Sequence, residues 1–241
     1  MKLLELHRVS KHFGGIRAVE EFSLDVQAGE IVGLIGPNGA GKSTLFNCVA
    51  GVFPPTSGEI VLQGKRIDGR KPWDLCRMGI ARTFQIVKPF ASRTVLYNVT
   101  VGAFAVTSRR GDAERWALEV LRTLRLEDKA DMRAANLTIA DRKRLEIARA
   151  LATRPRLLLL DEVMAGLRPT EVDEMVAVIR RLRESGITFF VIEHIMRAVM
   201  ALSDRIAVLH FGHKIAEGAP QEVARDERVI KAYLGEDYGA A

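Results

Sequence analysis

The sequence predicts an α/β fold, with an antiparallel β unit at the N-terminus, a mixed sheet core and an inserted helical unit. Three observations carry that prediction. Residues 30–51 read as a buried strand, a glycine-rich loop and a helix. From residue 157 onward, apolar strand runs alternate with amphipathic helices, the pattern that builds parallel sheets. Between these stretches, residues 94–153 carry helical periodicity and no strong strand signal.

The elements follow in order. Leu3 to Val9 alternates as an exposed or edge strand, Phe13-Gly14-Gly15 is a turn, and Phe22 to Val26 alternates again. Ala28-Gly29 turns into the apolar strand Ile31 to Ile35, and Thr44 to Ala50 is a helix. Pro54 to Gly58 is a loop, Glu59 to Leu62 a short strand, residues 71–80 a short helix and Ile80 to Phe84 a strand. In the insert, Thr94 to Phe104, Ala113 to Leu126 and Ile139 to Thr153 are helices. Ala113, Trp116, Ala117, Val120, Leu121 and Leu124 recur at core spacing. The third helix should bury Leu145, Ala148, Leu151 and Ala152 and expose Arg142, Lys143, Arg144 and Arg149. Leu157 to Leu160 is a buried strand expected beside Ile31 to Ile35. Thr170 to Glu184 is a helix, Ile187 to Ile192 a strand and Ile195 to Leu202 a helix. Ile206 to Leu209 pairs with Lys214 to Gly218, residues 220–234 form a final helix, and 235–241 are a loose tail.

Composition narrows the class. A chain of 241 residues with 48% hydrophobic and 27% charged residues suits a globular protein with a substantial core. The net charge of +6 permits an anionic partner, yet the Lys and Arg are scattered. Cys48 and Cys76 make neither a metal-ligand pair nor a disulfide framework, in keeping with a reducing compartment. Residues 1–6 turn charged too early for a signal peptide, and no run approaches 18 apolar residues, so a membrane role needs a membrane-spanning partner.

The chemistry centres on Gly36-Pro37-Asn38-Gly39-Ala40-Gly41-Lys42-Ser43-Thr44, the G-x-x-x-x-G-K-[ST] pattern between strand and helix. Glycines let the backbone turn its N–H groups inward, and the helix start adds unpaired amides. Lys42 supplies charge for β- and γ-phosphates, and Ser43 a hydroxyl for Mg²⁺. Asp161 and Glu162 close an apolar strand; such an Asp orders Mg²⁺, and the neighbouring carboxylate can polarise an attacking water. Gln85 ends a strand at the edge of the insert, where an amide could reach Mg²⁺ or water; by itself it reads as a surface glutamine. His194, alone, reads as a structural hydrogen bonder, and Phe13 as either an adenine platform or a half-buried turn residue.

Taken together, these motifs and their order resemble the nucleotide-binding subunit of an ABC transporter, a P-loop NTPase with a RecA-like core. The order is an aromatic turn (Phe13), Walker A (Gly36 to Thr44), Q-loop (Gln85), signature (Leu137 to Asp141), Walker B (Leu157 to Glu162), D-loop (Ala165 to Leu167) and switch histidine (His194). The finer resemblance is to importers of branched-chain amino acids, carried by Gly79 to Gln85, Ala165 to Glu171 and Val229 to Glu236; keeping both Gln85 and His194 makes the chain look like the G-type subunit. The resemblance implies a single domain over 1–241, with a core of 1–93 and 154–241 and a helical unit of 94–153. It implies ATP and Mg²⁺ as cofactors, ATP hydrolysis by Glu162 with His194 and Gln85, and a γ-phosphate contact from Thr138. It also implies a second ATPase subunit, identical or different, two transmembrane permease subunits, a substrate-binding protein reached indirectly, no nucleic acid, and a peripheral place on the cytoplasmic membrane face. Ile86 to Phe90 would receive a coupling helix.

One segment departs from the family pattern. The usual Leu-Ser-Gly-Gly-Gln is Leu137-Thr138-Ile139-Ala140-Asp141 here, and Val163 stands where proline is usual. Ala140 would strain a backbone that needs positive φ, and Asp141 would bring negative charge toward a polyanion. These changes keep open a low-turnover ATP-gated clamp, and the ending also resembles lipopolysaccharide-export ATPases. A nucleic-acid-linked ABC ATPase would need a long coiled-coil insert or a second cassette, and a small GTPase an Asn-Lys-x-Asp motif; the sequence has none of these.

Overall fold

The computed structural model describes residues 1–84 and 88–234. Two sheets organise it. The N-terminal sheet has the order β2-β1-β4-β5 and is antiparallel throughout, with β1 Lys2–Phe13, β2 Ile16–Gln27, β4 Ser57–Leu62 and β5 Lys65–Arg66. β1 and β2 are longer than their alternation predicts, because bulges at Arg8 and Glu21 (each φ 45°) let the ribbon bend and continue to the Gly14-Gly15 turn.

The second sheet has the order β10-β9-β3-β8-β7-β6, built from β3 Ile31–Ile35, β6 Ile80–Arg82, β7 Leu157–Asp161, β8 Thr188–Ile192, β9 Arg205–His210 and β10 His213–Gly218. Only β10 is antiparallel to its neighbour. The expectation that Leu157 to Leu160 lies beside the glycine-loop strand is corrected: β8 intervenes, so the Glu193-His194 end sits between the two motif-bearing strands. Strand neighbours in a parallel sheet are set by crossovers, which leave no trace in local periodicity.

The second sheet is covered on both faces, and strand parity shows it. Leu158, Leu160, Phe189 and Val191 join the core cluster of the helical insert, while Leu157, Leu159, Phe190 and Ile192 join that of the N-terminal sheet. The insert comprises α3 Val95–Ala103, α4 Arg110–Thr123 and α5 Ile139–Leu151 between β6 and β7. Thr94 caps α3 through Tyr97 N–H, and the α4 stripe is buried as its spacing predicts except at Trp116, which is half-buried and donates from Nε1 to Ala152 O at 2.9 Å. On α5, only Arg142 of the four expected basic residues is exposed. Lys143 is buried and the others half-buried, because each finds an acceptor or ring that compensates it.

Around the core lie α1 Lys42–Val49, α2 Pro72–Arg77, α6 Pro169–Glu184 and α7 Met196–Leu202. The expected final helix is two, α8 Pro220–Val223 and α9 Glu227–Leu234, since Asp226 accepts from Arg228 N–H and restarts the chain. The expected loose tail lies outside the described residues. Among the described residues no helix is long and apolar enough to cross a membrane.

Candidate active site

The glycine loop runs from the end of β3 into α1, pinned by two flanking elements. At Gly41 (φ 106°) a Cβ would stand 2.1 Å from Ala18 O on β2, and at Gly36 (φ 151°) 2.0 Å from Leu209 O on β9. Only glycine fits at either place. Lys42 is buried and donates from Nζ to Gly36 O (2.8 Å) and Pro37 O (2.9 Å). Burial lowers its pKa, and the charges of Glu162 and Asp161 oppose that shift. A cleft of about 930 Å³ opens above the loop, lined also by Ile16 to Ala18, by Phe211 and Gly212, and by Glu162 and His194. The P-loop residues from Asn38 to Thr44 line it directly. Phe13 is not among the lining residues: it stands 45% exposed, edge-on to Phe53 at 5.3 Å, with Lys11 Nζ 5.1 Å from its ring centroid.

Opposite the loop, β7 delivers Asp161 and then Glu162. Glu162 has φ 51°, a left-handed conformation that costs a non-glycine residue on the order of 1 kcal/mol. The turn is held in place: Glu162 N–H donates to Ile192 O at 2.9 Å, and Lys143 Nζ of α5 donates to Glu162 O at 3.1 Å. The carboxylate reaches His194, with Nε2 to Oε1 at 2.5 Å. Glu193, next to it, is buried and accepts from Met164 N–H (2.8 Å) and His194 N–H (3.3 Å). Burial raises its pKa. Glu162 and His194 thus meet across two strands at the lip of the cleft.

Asp161 is buried below them. Its backbone N–H donates to Thr83 Oγ1 at 3.0 Å, and its Oδ2 pairs with Arg82 Nη2 at 2.8 Å. Its Oδ1 is buried without a hydrogen-bond partner. Asp161, the residue with this orphaned oxygen, and Ser43 line the same cavity, of about 940 Å³. That hard-oxygen pair fits Mg²⁺, which favours few protein ligands together with phosphates. Gln85, assigned to the same chemistry, lies outside the described residues.

Thr138 sits apart from the cleft, as the N-cap of α5. Its Oγ1 accepts from Asp141 N–H at 3.2 Å and its hydroxyl donates to Asp141 Oδ2 at 2.8 Å. Asp141 is buried, with Lys129 Nζ at 2.7 Å and Arg144 Nη1 at 3.8 Å. Its charge is therefore compensated within the chain and turned inward. Ala140 lies inside α5 and has no positive φ, so the strain expected from losing a glycine does not arise. Ile139, 61% exposed, occupies the outer surface of the helix start.

Sequence reasoning passed over Arg82, Asn47, Lys143, Glu146 and Glu193. Glu146 is buried on α5 and accepts from Phe84 N–H; burial raises its pKa, against the pull of that hydrogen bond and of Lys143 and Arg149. The available signal was a carboxylate and a lysine on the apolar side of a helix, positions where charge survives only with a partner.

The family comparisons agree with this geometry. A family model described as "ABC transporter" matches residues 19–165, and one described as "Branched-chain amino acid ATP-binding cassette transporter" matches residues 213–239. The chain is 40% identical to the high-affinity branched-chain amino acid transport ATP-binding protein BraF of Pseudomonas aeruginosa, over 97% of this chain and 98% of that one. It is 37% identical to the lipopolysaccharide export system ATP-binding protein LptB of Escherichia coli, over 99% of each. Among solved structures, an ATP-binding cassette of an ABC transporter in its ADP conformation superposes with a TM-score of 0.90 at 32% identity, covering 98% of this chain and all of that one. A complete glycine loop facing a Glu–His pair, on a fold shared along the whole chain, places this protein in the ABC transporter ATP-binding family as an ATPase subunit.

Proposed function

We propose that the chain powers an importer of branched-chain amino acids or related small molecules, as one of two ATPase subunits joined head to tail. The observation that carries the catalytic part is the Glu162–His194 contact at the lip of the P-loop cleft. The P-loop amides and Lys42 bind the phosphates, Lys42 exchanging the Gly36 and Pro37 carbonyls for phosphate oxygens. Ser43 and Asp161 would hold Mg²⁺, which when bound neutralises charge on the β- and γ-phosphates. Glu162 takes the proton of the attacking water, His194 fixes the carboxylate, and Gln85 joins the same site. Phe13, outside the lining of the cleft and edge-on to Phe53, would stack on the adenine only by turning toward the cleft. Residues 94–153 move as a helical unit against the core of 1–93 and 154–241.

The partners are those that membership in a transporter family supports. The chain sits on the cytoplasmic membrane face beneath two transmembrane subunits, and a substrate-binding protein feeds them from outside. The loop after Gln85 receives a coupling helix. In its described part, Asn98 and Arg149 hold the backbone at Phe90 and Lys88, and the Phe90 ring stays 45% exposed. The second ATPase subunit carries a conventional signature, because Thr138 and Asp141 of this chain are engaged with each other and with Lys129. The dimer then has two unequal ATP sites. The match of residues 213–239 to the amino-acid branch favours import over the lipopolysaccharide-export reading.

Leucine uptake tests the substrate. In cells lacking this chain, radiolabelled leucine uptake should fall, return with the wild-type chain, and fail to return with Glu162→Gln. Leucine uptake that ignores the chain altogether would remove the importer assignment.

A further inference from the structure

Among the described residues, three buried side-chain atoms lack a hydrogen-bond partner: Arg82 Nε, Glu146 Oε2 and Asp161 Oδ1. All three residues line the cavity of about 940 Å³ between the core and the helical insert. Arg82 is the member that touches the others' supports. Its Nη2 donates to Asp161 Oδ2 at 2.8 Å and its Nη1 to Asn47 Oδ1 at 2.5 Å on α1, the helix that starts at Lys42. Its side chain is 12% exposed and that of Asp161 4%. The guanidinium also lies 5.6 Å from the Phe84 ring centroid. One planar group therefore spans the P-loop helix and the end of β7, from a strand that leads into the insert.

A buried arginine beside a cation-binding carboxylate is paradoxical as pure electrostatics. It repels the cation, and a buried ion pair is weak evidence for stability. Geometry resolves the paradox. With Oδ2 held by Arg82, Oδ1 is the carboxylate oxygen left without a hydrogen-bond partner, on a residue that lines one cavity with Ser43. Outer partners of ligating carboxylates typically govern metal affinity by 10–100-fold. The fixed fork of arginine does this better than the point charge of lysine.

We propose that Arg82 is a positioning residue for the cation site: anchored on Asn47, it holds Asp161 by Oδ2 so that Oδ1 is presented to the divalent ion of the bound nucleotide. This rests on the reading of Ser43 and Asp161 as the Mg²⁺ ligands.

The test uses the full-length chain with the β,γ-imido analogue of ATP, and Mn²⁺ as the probe, its free concentration followed by electron paramagnetic resonance. Arg82→Met should weaken Mn²⁺ binding to the analogue complex by about 10–100-fold. Arg82→Lys and Asn47→Ala, which disturb the fork more gently, should weaken it by roughly tenfold, the lower end of the same range. Binding of the analogue in EDTA should stay within about twofold in every variant, which a merely structural role would not allow. Equal or tighter Mn²⁺ binding in the variants would overturn the proposal, tighter binding marking Arg82 as a repelling charge only. A parallel loss with and without metal would overturn it too. A wild-type complex that binds Mn²⁺ no better than the free analogue does would instead remove the underlying ligand assignment, and the proposal with it. Should Arg82→Met fail to fold, Arg82→Lys and Asn47→Ala decide.

Discussion

Glu162→Gln leaves ATP bound and stops its hydrolysis. The substitution keeps the side-chain volume and a hydrogen bond to His194 Nε2, so the left-handed turn at Glu162 and its ties to Ile192 and Lys143 should persist. What disappears is a group that can accept the proton of water. General-base catalysis contributes about 10²–10⁴-fold, so kcat should fall by that factor, with nucleotide affinity unchanged within about threefold. Phosphate release at saturating ATP, alongside calorimetric ATP binding, reads both quantities. Turnover within a factor of two of wild type would show that Glu162 is not the base, and would favour a clamp whose activity resides elsewhere.

Gly41→Ala should collapse the P-loop. The new methyl would meet Ala18 O at 2.1 Å, a backbone atom in a paired strand that cannot swing aside, at a φ of 106° that alanine rarely adopts. Strain of this kind costs on the order of 2–3 kcal/mol. In a chain of this length that corresponds to a Tm lowered by roughly 4–12 °C. The loop can escape only by moving, which takes the amides and Lys42 off the phosphates, so nucleotide affinity should fall by at least about tenfold, the factor carried by 1.4 kcal/mol. Gly111→Ala is the control: the position is helical, with no positive φ and nothing within 4 Å of its Cβ. It should raise stability by about 0.5–1 kcal/mol and leave nucleotide binding alone. Fluorescent-nucleotide titration and thermal melts check both variants.

How much of this was legible in the sequence depended on the range of each interaction. The glycine loop, the α4 stripe and the buried strands were legible because their signals are local, set by periods of 2 and 3.6 residues and by glycine at turns. The neighbours of β7 were not, because β8 enters between β3 and β7 only through the crossovers. Lys143 read as exposed because its acceptor, Glu162 O, lies 19 residues away in another layer. Asp141 read as a charge aimed at phosphate, yet it is neutralised by Lys129, 12 residues before it. Arg82 read only as part of the Gly79 to Gln85 stretch, since its partner Asp161 lies 79 residues further along the chain. In each case a side chain's character was readable and its partner was not.

The most direct test of the composite-dimer account is the solution mass of the Glu162→Gln chain with saturating ATP, by light scattering, with its own signature and with Thr138→Ser, Ala140→Gly and Asp141→Gln added. ATP binding is verified separately in both. The account predicts a monomer for the first and an ATP-dependent doubling for the second, because the added changes release the α5 start from its internal hydrogen bonds to close over a facing P-loop. Doubling with the unaltered signature would contradict it and make the chain a partner for itself. A monomer in both would contradict the assignment of Leu137 to Asp141 as the closing segment.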